Sequence, residues 1–83
     1  MQIRFSAHCD DGVSNEDLFY ELDDDLQGIS NDRLAKLIAE HYHESYHNDW
    51  DNGEGVSFQI YNRKEHLGDF LIVMNSKPQY QVF

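Results

Sequence analysis

The sequence predicts an α+β domain with the element order β-α-α-β-β-β, in which two helices pack on one face of a small antiparallel sheet. Apolar and polar residues alternate at the start of the chain, two helix-start patterns follow one another, and alternation returns after residue 55. A period of two is typical of strands, whereas apolar residues three and four positions apart are typical of helices. Segregated helices and strands favour a layered α+β arrangement. The 83 residues correspond to a single acidic domain, 1–83.

The first strand is predicted from an alternating row of apolar side chains: Ile3, Phe5, Ala7 and Cys9. Two aspartates and a glycine at positions 10–12 favour a turn after it. Cys9 is the only cysteine, so no internal disulfide can form. A free cysteine in an inward-facing row is usually a small buried hydrophobe. The lack of disulfides favours a reducing compartment, and we expect a cytoplasmic protein.

The first helix is predicted from a start signal at Ser14. This residue has the type of an N-cap, and Asp17 stands in the capping-box position three residues later. The apolar residues that follow have the spacing of one helical face: Leu18, Phe19, Leu22 and Leu26. Gly28 occupies a position where a left-handed glycine commonly ends a helix. We therefore expect a helix between Ser14 and Gly28.

A second helix is predicted between Ser30, its N-cap, and about His47. One face of this helix carries six residues at helical spacing: Leu34, Leu37, Ile38, His41, Tyr42 and Ser45. A polar loop follows, and the Asn-Gly pair at 52–53 is a strong turn signal. The second helix should therefore be followed by a sharp change of chain direction.

Three strands are predicted after this loop. Val56, Phe58 and Ile60 alternate with polar residues, residues 67–74 form a second strand with the apolar stretch Phe70 to Met74, and a short strand ends the sequence. We expect twelve side chains to face inward, and solvent accessibility tests this set: Ile3, Phe5, Leu18, Leu22, Leu26, Leu34, Leu37, Ile38, Phe58, Ile60, Phe70 and Ile72.

Acidity is the most unusual property of the composition. Six lysine and arginine residues face sixteen aspartate and glutamate residues, which gives a formal net charge of -10. This charge repels nucleic acid and anionic membranes and attracts basic surfaces. No apolar run approaches the roughly 20 residues that span a bilayer, and the first residues show no signal-peptide pattern. The predicted partner is a basic protein surface, such as that of a nucleic-acid-binding protein or complex, without direct binding of nucleic acid or membrane.

Half of the acidic residues lie in one short segment, which contains no lysine or arginine. These eight are the predicted partner-binding residues: Asp10, Asp11, Glu16, Asp17, Glu21, Asp23, Asp24 and Asp25. On the predicted first helix, Asp17, Glu21 and either Asp24 or Asp25 would stack along one side. Because like charges at this spacing destabilise a helix, their repetition favours a functional surface. The alternative is an ordinary solvated helix face.

Residues 43–47 read His-Glu-Ser-Tyr-His and resemble the His-Glu-x-x-His pattern of zinc metalloproteases. The resemblance implies that His43 and His47 bind Zn²⁺ while Glu44 acts as general base. Glu65 stands where the gluzincin families carry a third ligand. At about 100° per residue, however, His43 and His47 fall on the face of Lys36 and Glu40, opposite the apolar stripe. This placement favours a polar helix end, and we expect neither bound zinc nor another cofactor.

The leading functional hypothesis is a small protein-protein interaction or inhibitor protein without enzymatic activity. In size, acidity and helix-plus-sheet build, the chain resembles the class of phage and mobile-element anti-defence proteins that imitate nucleic-acid charge, such as anti-CRISPR and antirestriction proteins. This resemblance is one of class, and no shared motif carries it. Two alternatives remain: a small zinc-binding or zincin-like metalloenzyme, and a housekeeping or antitoxin-like interaction domain.

Overall fold

One α-helix and five strands form the fold within the described residues of a computed structural model, which are 2–9, 12, 14–26, 28–46, 50, 53–75 and 79–82. The elements in chain order are β1 (Gln2–Cys9), β2 (Ser14–Glu21), a short 3-10 turn (Asp24–Leu26), α1 (Asn31–Ser45), β3 (Gly55–Asn62), β4 (Glu65–Asn75) and β5 (Gln79–Val82). The strands make one antiparallel sheet in the order β2-β1-β3-β4-β5. The helix packs against one face of this sheet.

The predicted β-α-α-β-β-β layout is wrong, because the segment after Ser14 forms strand β2 and not a helix. Strand β2 pairs antiparallel with β1, and Leu18 lies opposite Phe5. The sequence permits this, since Leu18 and Tyr20 are partly buried whereas Phe19 and Glu21 are exposed, as strand alternation requires. Aromatic residues also favour strands. The apolar spacing of this segment fits both a helix and a strand, and pairing with β1 therefore determines that it is a strand.

The predicted second helix is confirmed as α1, although it ends at Ser45. The Ser30 side chain accepts a hydrogen bond from the backbone N–H of Arg33 at 3.3 Å, which is the expected N-cap interaction. Five side chains are buried against the sheet: Leu34, Ala35, Ile38, Ala39 and Tyr42. In the described part of the chain, no helix has the length and apolar character needed to cross a bilayer.

The core lies between α1 and the inner side of the sheet. Eight of the predicted inward side chains are buried: Ile3, Phe5, Leu22, Leu34, Ile38, Phe58, Ile60 and Ile72. The other four are partly buried against this core: Leu18, Leu26, Leu37 and Phe70. Cys9 is buried and 8% exposed, as its position in the alternating row of β1 predicts. The core also contains Trp50, which was not predicted.

Gly68 is the glycine whose replacement should disturb the sheet most. It lies opposite Ile60, beside an irregularity in the β3–β4 pairing. Its φ is +150°, and an added Cβ would lie 3.0 Å from the ring of Phe70. Gly68→Ala should therefore lower the free energy of unfolding by about 1–3 kcal/mol, as measured by denaturant titration.

The matched control is Gly28→Ala. Gly28 also has a positive φ, +89°, but nothing lies within 4 Å of an added Cβ. This substitution changes backbone strain without a steric clash, so its loss of stability should be the smaller one. Equal losses for the two variants would contradict a role for the Phe70 contact.

Candidate protein-binding surface

The acidic residues predicted to bind a partner lie along an edge strand and the turn that follows it. Asp10 and Asp11 are outside the described residues. The other six are all exposed: Glu16, Asp17, Glu21, Asp23, Asp24 and Asp25. Their expected stacking along one helical side is wrong, because strand β2 places Asp17 and Glu21 about 13 Å apart. The structure thus spreads these carboxylates along the sheet edge.

Asp17 is held at an irregularity of this edge. Its φ is +55°, and the pairing of β1 with β2 shifts register between Phe5 and Ala7. Arg4 Nη1 lies 3.2 Å from Asp17 Oδ1. The Arg4 guanidinium also lies over the ring of Tyr61, 4.5 Å from its centroid. These contacts join the edge strand to the sheet surface that faces away from α1.

An exposed aromatic ring lies between two of these carboxylates. Phe19 is 49% exposed, and it shares one side of β2 with Asp17 and Glu21. The sequence pattern had assigned Phe19 to the apolar stripe of a helix. The signal that identifies its true position is the alternation of residues 18–21, which places Phe19 and Glu21 together on the side opposite to Leu18 and Tyr20.

The side of the sheet opposite to α1 forms a continuous surface, which we call the open face. Strand alternation and pairing place these described residues on it: Gln2, Arg4, Ser6, His8, Asp17, Phe19, Glu21, Ser57, Gln59, Tyr61, His66, Asp69, Leu71 and Val73. Leu71 is 41% exposed and has Asp69 two residues before it on the same side. His8 Nδ1 is 2.9 Å from Ser14 Oγ, which links β1 to β2. Polar and apolar side chains are therefore mixed on the open face.

The first histidine of the zinc-binding string is engaged in packing. His43 Nδ1 lies 2.8 Å from the Tyr80 hydroxyl, and the His43 and Trp50 ring centroids are 5.7 Å apart. His43 is half-buried, so its predicted position on a solvated face is wrong. The reason is that β5 brings Tyr80 against this flank of α1. Glu44 is exposed, and His47 lies outside the described residues.

Glu65, the implied third ligand, lies at the other end of α1. Asn31, the first helical residue, donates a hydrogen bond to the Leu67 carbonyl at 3.2 Å. Since the helix rises 1.5 Å per residue, His43 is about 18 Å further along its axis. Glu65, at the start of β4, is therefore not brought together with His43 and Glu44. Among the residues that the structure describes, no group of three His, Cys, Asp or Glu side chains could hold a metal ion.

The negative charge also reaches the flanks of α1. Burial raises the pKa of Tyr20, and the charges of Asp23 and Glu40 raise this pKa further. Burial likewise raises the pKa of Tyr80, with added contributions from Glu40 and Glu44. Asp23, which precedes the 3-10 turn, and the α1 carboxylates of Glu40 and Glu44 thus act on tyrosines of both outer strands, β2 and β5. Negative potential extends well beyond the segment that the sequence singled out.

Comparisons with protein-family models, with curated proteins and with solved structures found no match for this chain. Its function is therefore inferred from the chemistry of its own surface.

Proposed function

We propose that the chain is a small binding protein that docks on a basic protein surface through β2 and the 3-10 turn. The observation that carries this proposal is Phe19, an exposed aromatic side chain with Asp17 and Glu21 on either side of it. Interface centres are enriched in aromatic residues, whereas charged groups occupy the rim. An aromatic anchor with carboxylates around it is complementary to a surface that carries arginine or lysine.

Arginine and lysine side chains would satisfy both parts of this arrangement. Their hydrocarbon stems pack on apolar surface while their charged ends remain accessible, and a cation near an aromatic face is attracted by the ring. The carboxylates beside Phe19 would bind the charged ends. The net charge of -10 would accelerate encounter with a basic partner, and this effect falls steeply as ionic strength rises.

The more specific form of the proposal concerns the kind of partner. Nucleic-acid-binding proteins present the basic surfaces that phosphates occupy, and exposed carboxylates along β2 and its turn would occupy the same surfaces. The chain would then act as an inhibitor in the cytoplasm, of the anti-CRISPR or antirestriction kind made by phages and mobile elements. Binding should in that case compete with the nucleic acid of the partner.

Charge reversal in the acidic segment tests the proposal. The partner is captured from the source cells with the wild-type chain, purified, and titrated with the variants. The triple variant Glu21→Lys, Asp24→Lys and Asp25→Lys should bind about 30- to 100-fold more weakly, with a shallower salt dependence. Because all three residues are exposed, circular dichroism should show a folded protein.

The matched control reverses three exposed carboxylates elsewhere, with Asp32→Lys, Glu40→Lys and Glu65→Lys. Both triple variants change the net charge by the same amount, so a site-specific role predicts a much smaller loss for the control. Equal losses would show that only the overall charge matters. The single variant Phe19→Ser, which leaves the charge unchanged, should also weaken binding, and unchanged affinity would remove the aromatic anchor from the proposal.

A further inference from the structure

The open face repeats at β4 the arrangement found at β2. Leu71 is 41% exposed and has the exposed Asp69 beside it on the same side of β4. Phe19 is 49% exposed and has Glu21 beside it on β2. Strand alternation separates each apolar residue from its carboxylate by about 7 Å. Two apolar–carboxylate pairs therefore lie on one surface, on strands separated by β1 and β3.

The side chains of Arg4 and His66 contact groups of the open face. The Arg4 guanidinium lies over Tyr61 and contacts Asp17. His66, at the start of β4, lies 2.9 Å from Asp69 through Nε2, and its ring centroid is 5.0 Å from that of Tyr61. These contacts order a row of side chains across β1, β3 and β4. The row connects the carboxylates of β2 with the carboxylate of β4.

A second copy of the chain does not suit this surface. A face-to-face dimer would bring together two chains that each have a formal net charge of -10, and like charges facing each other oppose association. A basic partner suits it better, because the acidic segment on β2 adjoins the open face and extends the available area.

We propose that the open face is part of the docking surface and binds a basic segment of the partner in which arginine or lysine alternates with apolar residues. The apolar residues would pack on Phe19, Leu71 and Val73. The basic residues would reach Glu21, and they would compete with His66 for Asp69. This inference rests on the proposed function, since it takes the same class of partner. It adds that β4, which contributes nothing to the acidic segment, determines affinity.

The experiment uses amide NMR spectra of the ¹⁵N-labelled chain with two probes. One is an eight-residue peptide of alternating arginine and leucine, and the other is spermine, a polycation without apolar side chains. The peptide should shift the amides of Ser57, Gln59 and Leu71 as well as those of β2. Spermine should shift only the amide signals of the acidic segment. Leu71→Ser should weaken binding of the peptide about tenfold and leave binding of spermine unchanged.

Tyr46→Ser is the matched control, because Tyr46 is 50% exposed but lies at the end of α1. It should leave peptide affinity unchanged, and circular dichroism should show that both variants are folded. Peptide shifts confined to β2 and its turn would overturn the open-face inference and leave the proposed function standing. The absence of shifts with both probes would reject both. If sedimentation shows a dimer and Leu71→Ser makes it monomeric, the open face binds a second copy and the inference is wrong. If a short single-stranded oligonucleotide shifts the open-face amides, the face binds nucleic acid and the inference is also wrong.

Discussion

Replacement of Tyr42 by alanine is expected to lower the free energy of unfolding by about 3–5 kcal/mol. Tyr42 is 1% exposed and lies at the centre of the aromatic core. Its ring centroid is 5.5 Å from that of Phe58 and 6.4 Å from those of Phe5 and Trp50. Removal of the ring leaves a cavity between α1 and the sheet. Because domains of this size are marginally stable, much of the protein should be unfolded at 25 °C, and denaturant titration measures the loss.

Tyr42→Phe separates the hydroxyl from the ring. The Tyr42 hydroxyl accepts a hydrogen bond from Asn15 Nδ2 at 2.8 Å and lies 3.6 Å from Cys9 Sγ. This variant keeps the packing of the ring and removes the contacts of the hydroxyl, so it should lower the free energy of unfolding by about 1–2 kcal/mol. A loss for Tyr42→Phe as large as that for Tyr42→Ala would show that the polar contacts, and not the ring, hold α1 to β1 and β2.

Phe58 lies on the opposite side of the core, and Phe58→Ala should also lower the free energy of unfolding by about 3–5 kcal/mol. Phe58 is fully buried on β3, and its ring centroid lies 6.1 Å from that of Phe5 and 6.2 Å from that of Trp50. Thermal unfolding followed by circular dichroism should show a large fall in the midpoint. Ser57→Ala is the neighbouring control, because Ser57 is exposed on the open face and should change stability by less than about 0.5 kcal/mol. Comparable losses at the two positions would contradict the assignment of the two faces of β3.

The sequence predicts most of the sheet and α1, and the reason is visible at each element. Apolar and polar residues alternate along β1 and along residues 56–60 of β3, and α1 combines a helical stripe with the Ser30 cap. The segment that contains Leu18, Phe19, Leu22 and Leu26 carries two patterns at once, since these residues fit a helical face whereas residues 18–21 also alternate. Local spacing does not distinguish these structures, and the choice depends on the distant pairing with β1.

Some features of the candidate site are also predictable from the sequence, and others are not. Exposure of the six described carboxylates is predictable, because charged side chains rarely lie in a core, but their arrangement depends on β2 being a strand. The environment of His43 is not predictable from its own helix. Its hydrogen-bonding partner Tyr80 is 37 residues away in the sequence, and β5 brings it into contact only when the whole sheet has formed.

The sheet order has a consequence for how the chain reaches its native state. Strands β1 and β2 form one hairpin, and β3, β4 and β5 form a second local unit. Within the described part of the sheet, the two units join through the pairing of β1 with β3, where Phe5 lies opposite Ile60. That pairing closes a long loop. Closing it costs more chain entropy than closing the short turn of a hairpin, and contacts between distant residues slow folding. The pairing of β1 with β3 covers one edge of each strand, so the folded sheet leaves only its two outer strands, β2 and β5, at an edge within the described residues.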